Sequence, residues 1–96
     1  MKSVIFSKSA ENDLEKIADR IALDNPDRAL TFIIELREHT FALLTAPLMG
    51  VEIKFSRKSI RMLIYGKYLI FYRVHKKDIQ ILRFIHSARE RKSFIT

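Results

Sequence analysis

The sequence predicts a two-layer α+β domain of β-α-α-β-β-β order, in which a helical hairpin packs on one face of an antiparallel sheet. Two amphipathic helical patterns occupy most of the first half of the chain, and a proline separates them. Three segments with strand-like alternation follow in the second half. The chain has 96 residues, 48% of them apolar, which is enough for one compact core and too few for two. We therefore expect a single domain that spans residues 1–96.

One strand and two helices are predicted in the first half. Ser3 to Phe6 is a short run rich in β-branched and aromatic residues, and Ser7 after it is a favourable helix N-cap. The first helix is predicted to run from there to near Asp24. Asn25-Pro26 then supplies a cap and a first helical residue for the second helix. That helix is predicted to end at the Pro47-Leu48-Met49-Gly50 segment, because proline cannot continue it.

The second half predicts an antiparallel meander of three strands. A basic connector at 51–59 leads to strands at 60–65 and 68–74, joined by a Gly66-Lys67 turn, and to a third strand at 79–86. Successive side chains of a strand point to opposite faces. At least one face of the middle strand must therefore be core. One face would carry Tyr68, Ile70, Tyr72 and Val74, and the other Leu69, Phe71 and Arg73.

Composition excludes several classes of site. The chain has no cysteine, so disulfides, thiolate metal sites and thiol nucleophiles are excluded. Three histidines without HExxH spacing and only two glycines give no case for a metal or a nucleotide phosphate loop, and we expect no cofactor. The opening MKSVIFSKSAEN has at most three consecutive apolar residues, so we expect no signal peptide or membrane span and a cytoplasmic protein.

The net charge of +7 is unevenly distributed. Residues 1–48 contain six Lys and Arg against eight Asp and Glu, whereas residues 49–96 contain twelve against three. A strongly basic half attracts a polyanion or an acidic protein segment and accelerates its association at low salt. Charge alone does not identify which of these partners binds.

Ordered sequence motifs extend along nearly the whole chain. They are Phe6-Ser7, Asp13-Leu14, Asn25-Pro26, Pro47-Leu48-Met49-Gly50, Gly66-Lys67-Tyr68-Leu69-Ile70-Phe71-Tyr72-Arg73-Val74, Ile81-Leu82-Arg83 and His86-Ser87-Ala88-Arg89. In their order and spacing these motifs resemble the ParE toxins of the RelE/ParE superfamily. The resemblance implies a β-α-α-β-β-β fold, poisoning of DNA gyrase, and neutralisation by a cognate antitoxin.

The chemistry of RNA cleavage favours the gyrase branch of this superfamily. Cleavage needs a base for the 2′-hydroxyl, cations for the phosphorane and an acid for the leaving oxygen. RelE-like enzymes use Lys and Arg on the sheet and a Tyr near the C-terminus, but here Lys92-Ser93-Phe94 lacks the Tyr and Leu69 replaces an Arg. We therefore expect a non-enzymatic inhibitor. The alternatives are a ribosome-dependent mRNA endoribonuclease and a basic nucleic-acid-binding module, which salt-dependent binding to bare DNA or RNA would distinguish.

Seven basic or titratable residues are candidates for target binding. An Arg guanidinium binds a carboxylate or phosphate at two points, and a histidine near a basic tail can act as acid or base. We expect a basic sheet face and the C-terminal tail to contact the target, although Arg on a sheet is more often a solvated or salt-bridged surface residue. The candidates are Arg61, Arg73, Arg83, His86, Arg89, Arg91 and Lys92.

The helices carry more apolar surface than one core-facing stripe needs. Our hypothesis is that one stripe forms a groove for an amphipathic helix of an acidic ParD-like antitoxin, while the rest of the antitoxin covers the basic half. The competing interpretation is that these residues are core. The candidates are Leu14, Ile17, Ile21, Leu30, Ile34 and Phe41.

Overall fold

The computed structural model describes residues 2–53 and 59–88. Two helices pack on a five-stranded sheet, which confirms the predicted α+β class, and the order contains one strand more than predicted. The elements are β1 (Ser3–Phe6), α1 (Lys8–Ala22), α2 (Pro26–Phe41), a 3-10 turn (Ala42–Leu44), β2 (Val51–Ile53), β3 (Ile60–Tyr65), β4 (Tyr68–Val74) and β5 (Asp78–His86).

The sheet is mixed, whereas an antiparallel sheet was predicted. Its strand order is β1-β5-β4-β3-β2, and β2 to β5 form an antiparallel meander. The first strand joins the other edge in parallel, with Ser3 opposite Asp78 and Phe6 opposite Ile81. The extra strand β2 lies in the predicted connector. The sequence does not predict it, because three residues are too few to show a period of two. The direction of the β1–β5 pair is not encoded in either local pattern.

Side-chain caps begin both helices as predicted. The Ser7 hydroxyl accepts a hydrogen bond from the Ala10 amide at 3.0 Å and donates one to the Leu82 carbonyl at 2.9 Å, which fixes the start of α1 against β5. The Asn25 side chain accepts from the Arg28 amide at 3.1 Å, and Pro26 occupies the first helical position. The α1 helix ends at Ala22, slightly before the predicted end near Asp24.

The main core lies between the helices and one face of the sheet. Tyr68, Ile70 and Tyr72 of β4 lie in it, and Val74 packs against its edge, as the predicted alternation required. The helices contribute Leu14, Ile17 and Leu36. These side chains are at most 7% exposed, Val74 excepted, and their burial is the main source of stability.

The opposite face of the sheet is also apolar. Leu69 and Phe71, the other side-chain set of β4, form a second cluster with Ile85 of β5. They are 6%, 2% and 1% exposed, so both alternating sets of β4 are buried. The sequence predicts a basic sheet face, whereas these three residues form an apolar cluster. Partly buried apolar side chains extend the cluster: Ile53, Ile60, Met62 and Leu82.

In the part of the chain that the structure describes, neither helix is long and apolar enough to cross a membrane.

Candidate functional site

Arg61, a predicted target-binding residue, holds the segment that connects the helices to the sheet. Its Nη1 donates to the carbonyl oxygens of Gly50 at 2.8 Å and Leu48 at 3.3 Å. Its Nη2 lies 3.9 Å from the Glu52 carboxylate, a long and half-exposed ion pair. In the β3–β4 register, Arg61 pairs with Tyr72 and therefore shares the helix-covered face of the sheet. Its guanidinium is committed to backbone acceptors of its own chain.

Tyr72 anchors the same segment from inside the core. Its hydroxyl donates to the Pro47 carbonyl at 2.9 Å and accepts from the Gly50 amide at 2.9 Å. The ring is fully buried, and burial raises the pKa of the phenol, partly offset by the hydrogen bond from Gly50 and the positive charge of Arg61. The two side chains, Tyr72 and Arg61, together fix residues 47–50 before β2 begins.

Arg83 is held by a buried carboxylate of α1. Its Nε donates to Asp13 Oδ2 at 2.7 Å and its Nη2 to Oδ1 at 3.1 Å, a two-point ion pair. The Phe84 amide also donates to Asp13 Oδ2, at 3.0 Å. Asp13 is 6% exposed, so its charge depends on these donors. The arrangement joins α1 to β5 beyond the point where β1 ends.

The remaining described target-binding candidates, Arg73 and His86, lie in different parts of the sheet. Arg73 lies on the opposite face of the sheet, half-buried beside Ile60. His86 ends β5, with its ring edge-on to Tyr68 at 5.2 Å and its Nδ1 accepting from the Ala88 amide at 3.2 Å. Predicted tail candidates Arg89, Arg91 and Lys92 lie outside the described residues.

A polar triad on the helical side couples α2 to β3. Glu35 accepts from both terminal nitrogens of Arg28, at 2.6 and 3.2 Å, and from the Tyr65 hydroxyl at 3.1 Å. The bond from Arg28 is the main cause that lowers the pKa of Glu35, and the bond to Glu35 is the main cause that raises the pKa of Tyr65. Arg28 is exposed and Glu35 and Tyr65 are partly buried, so the triad is an electrostatic link between the two layers that salt will weaken.

The antitoxin-binding candidates separate into core and surface residues. Leu14 and Ile17 are 3% and 5% exposed and lie in the main core, and Ile21 packs partly buried against it. The core interpretation therefore describes these three. Three others lie on the outside of α2: Leu30, 66% exposed, and Ile34 and Phe41, both 46%.

The three exposed residues form one stripe along α2, which we call the outer stripe. With 3.6 residues per turn, Leu30, Ile34 and Phe41 lie about 120° around the helix from the buried stripe of Ala29, Leu36 and Thr40. Leu44, 42% exposed, follows in the 3-10 turn. Exposed apolar side chains that share one side of a helix are typical of a surface that binds a partner.

Sequence reasoning missed Asp13 and the anchoring role of Tyr72. The signal for Asp13 was present, because it lies at helical spacing from Ala10 and Ile17, on the stripe that faces the core. A carboxylate on such a stripe needs a buried donor, and Arg83 provides it. Nothing in the local pattern around Tyr72 indicates a bond to a segment more than twenty residues earlier.

Among residues 2–53 and 59–88, no group of three or more His, Cys, Asp or Glu side chains is arranged to hold a metal ion.

The model of the family described as "ParE toxin of type II toxin-antitoxin system, parDE" matches residues 4–91 of this sequence. The chain belongs to the ParE toxin family. A solved chain from the chromosomal ParDE toxin-antitoxin system of P. aeruginosa resembles this ParE family member with a TM-score of 0.76. The two share 27% sequence identity over 90% of this chain and 96% of that one. A comparison with curated proteins gave no match. The resemblance deduced from the ordered motifs is thereby confirmed.

Proposed function

We propose that this ParE family member inhibits or poisons DNA gyrase without cleaving RNA, and that an acidic ParD-like antitoxin neutralises it. The observation that carries the proposal is the engagement of two sheet arginines. Arg61 binds the carbonyl oxygens of residues 48 and 50, and Arg83 binds Asp13. Both guanidiniums stabilise the fold, which removes them from the cations that a phosphorane would require.

Leu69 supports the same conclusion. It stands where the RNA-cleaving branch has an Arg, and it is 6% exposed within the second apolar cluster. An isobutyl group in that position neither holds a phosphate nor transfers a proton. Together with Phe94 in place of the tail Tyr, this leaves the sheet without the acid and the second cation of in-line cleavage.

The outer stripe of α2 is the surface that we assign to the antitoxin. Helices bind one another through apolar residues spaced at three, four and seven, and Leu30, Ile34 and Phe41 are spaced at four and seven. The excess of Lys and Arg in residues 49–96 would attract the acidic remainder of such a partner. The antitoxin would thus combine an apolar anchor with long-range electrostatic attraction.

The decisive experiment compares two reactions with the purified full chain. One is DNA supercoiling by gyrase, scored for lost supercoiling and for trapped cleaved DNA, and the other is translation, with the mRNA examined for cuts. Trapped cleaved DNA with intact mRNA is expected. Cut mRNA with normal gyrase activity would instead establish the endoribonuclease alternative.

The antitoxin surface has its own test. A ParD-like antitoxin is co-expressed with the Leu30→Glu/Ile34→Glu variant and with Leu23→Glu as a matched control. Leu23 is 86% exposed but lies at the end of α1, outside the outer stripe. We expect the double variant to lose co-purification and the control to retain it. Equal co-purification of both would refute the assignment of the outer stripe.

A further inference from the structure

A cleft of about 320 Å³ opens between the end of α1, the start of α2 and the β3–β4 turn. This volume is at the lower end of the range of small-molecule sites. The outer stripe of α2 does not line the cleft, and neither do Arg61, Arg73 and Arg83. Among the described target-binding candidates, His86 alone lines the cleft, so the cleft lies largely apart from the surfaces used in the proposed function.

Basic side chains reach this cleft from three elements of the fold. Arg20 comes from α1, Lys67 from the β3–β4 turn and His86 from the end of β5. Within the described part of the chain, neither Arg20 nor Lys67 has an ion-pair partner. Asp24 also lines the cleft, so the two permanent cations outnumber the carboxylate there. Such a site attracts an anion.

A smaller cavity adjoins the cleft and shares Arg20 and His86 with it. Lys16 contributes a further cation to its lining. Its carboxylate is Asp13, whose oxygens already accept from Arg83 and from the Phe84 amide. The positive charge on this side of the cleft is therefore not cancelled by Asp13.

Aromatic side chains form the apolar wall of the cleft. The Phe32 and Tyr68 rings lie 5.6 Å apart, and His86 meets Tyr68 edge-on. Two backbone amides fix Lys67 and His86 beside this wall. The Ser87 amide donates to the Lys67 carbonyl at 2.8 Å, and the Ala88 amide donates to the His86 ring. A wall that is already ordered loses little conformational entropy when a ligand binds.

We propose that this cleft binds a small phosphorylated ring compound of the size of a nucleoside monophosphate. Its phosphate would lie between Arg20 and Lys67, because guanidinium and ammonium groups are the usual protein partners of phosphate. Its ring would contact the wall made by Phe32 and Tyr68.

Two kinds of macromolecule, an acidic protein and a nucleic acid strand, fit the cleft less well. The carboxylate of a partner protein's Asp or Glu side chain would fill only a small part of 320 Å³ and leave the aromatic wall uncovered. A nucleic acid strand follows a continuous basic groove, whereas Asp24 interrupts the cations here. The test therefore includes a hexaglutamate peptide and oligonucleotides of increasing length.

The test is calorimetric titration of the purified full chain with AMP, GMP, CMP and UMP, beside inorganic phosphate and adenosine. At least one nucleotide is expected to bind saturably and more tightly than either phosphate or adenosine. Arg20→Gln and Lys67→Gln are each expected to weaken that binding by about tenfold, the effect of losing one charge-assisted hydrogen bond. Lys77→Gln is the matched control, since Lys77 is exposed in the β4–β5 turn away from the cleft.

Any of four results would overturn the proposal. The first is no saturable binding of the four nucleotides up to about 10 mM, a limit that corresponds to negligible affinity. The second is an equal loss in Lys77→Gln, which would indicate general charge attraction. The others are tighter binding of a hexaglutamate peptide than of any nucleotide, and oligonucleotide affinity that keeps rising with length. Thermal melting of each variant verifies that the fold is intact.

Discussion

The Gly50 amide donates to the Tyr72 hydroxyl at 2.9 Å, and the approach is so close that position 50 has no room for a side chain. A Cβ there would lie 2.6 Å from the Tyr72 hydroxyl oxygen and 2.9 Å from the Met62 carbonyl oxygen. The second neighbour is backbone and the first is a buried ring, so neither yields easily. Gly50 is thus required by packing and not by an unusual backbone angle.

Gly50→Ala is therefore expected to destabilise the protein by about 2–3 kcal/mol through overpacking. Gly66→Ala is the matched control, because Gly66 has a φ of +59° and, among the described residues, no atom lies within 4 Å of the place that a Cβ would take. Its cost should be limited to the left-handed backbone, about 1 kcal/mol. Urea denaturation of both variants measures the difference, and an equal loss would show that the close approach at Gly50 is relieved by a small shift.

Tyr72→Phe removes one hydroxyl and leaves two backbone groups of residues 47–50 without their partner. We expect a loss of about 2 kcal/mol, because the Gly50 amide and the Pro47 carbonyl lose a buried hydrogen bond together. Tyr68→Phe is the control, since the Tyr68 hydroxyl makes no side-chain hydrogen bond with the described residues. Chemical denaturation compares the two, and a negligible loss in Tyr72→Phe would mean that water replaces the phenol.

Asp13→Asn is expected to cost about 2–3 kcal/mol of folding free energy. The substitution removes the buried charge that the guanidinium of Arg83 and the Phe84 amide bind. Glu11→Gln provides the comparison, because its ion pair with Arg37 is about half-exposed and should contribute less than about 1 kcal/mol. A double-mutant cycle between positions 13 and 83 measures the coupling, and additive losses would contradict the assigned pair.

The free energy of unfolding should depend on pH in both the acidic and the alkaline range because of the triad of Arg28, Glu35 and Tyr65. The pKa of Glu35 is lowered in the fold, so its contribution is present above the ordinary value of 4.5 and is lost as pH falls through the lowered value. The pKa of Tyr65 is raised, so its contribution is present below 10.0 and is lost as pH rises through the raised value.

Glu35→Ala should therefore flatten both limbs of the stability profile and return the pKa of Tyr65 towards 10.0. Spectroscopic titration of tyrosinate and melting curves across pH measure these effects. Glu38→Ala, an exposed glutamate on the same helix, should leave the tyrosinate titration unchanged. An unaltered titration in Glu35→Ala would contradict the hydrogen bond.

The division of the apolar candidates into core and surface predicts different losses of stability when they are substituted. Leu14→Ala is expected to destabilise the protein by about 3 kcal/mol, because Leu14 of α1 is buried in the main core. Leu30→Ala, at 66% exposure, should cost less than about 1 kcal/mol. Denaturation curves decide, and similar losses at the two positions would contradict the burial seen for Leu14.

The parts of the fold that follow from local sequence were predictable. Ser7, Asn25-Pro26 and Gly66-Lys67 mark boundaries through their own caps and turn geometry, so the starts of both helices and the β3–β4 hairpin appear at the expected places. The α2 helix ends at Phe41, before the predicted end at Pro47-Leu48-Met49-Gly50, and a 3-10 turn follows it. The three-residue β2 was missed because it is too short for a pattern. The parallel β1–β5 pair was missed because it joins residues about 75 positions apart.

The candidate site was less predictable, because a side chain's role depends on what the fold brings to it. The sequence places Arg61 and Arg83 on strands. It does not show that Arg61 donates to two backbone carbonyl oxygens and Arg83 to a buried aspartate. Arg20 and Lys67 were not singled out, since they come together only when the end of α1 meets the β3–β4 turn.

The pairing of β1 with β5 also has a consequence for synthesis on the ribosome. β1 has no partner strand until Asp78–His86 has been translated, so the sheet cannot be completed before β5 has been synthesised. Until then α1 also lacks the strand to which its buried carboxylate, Asp13, joins it.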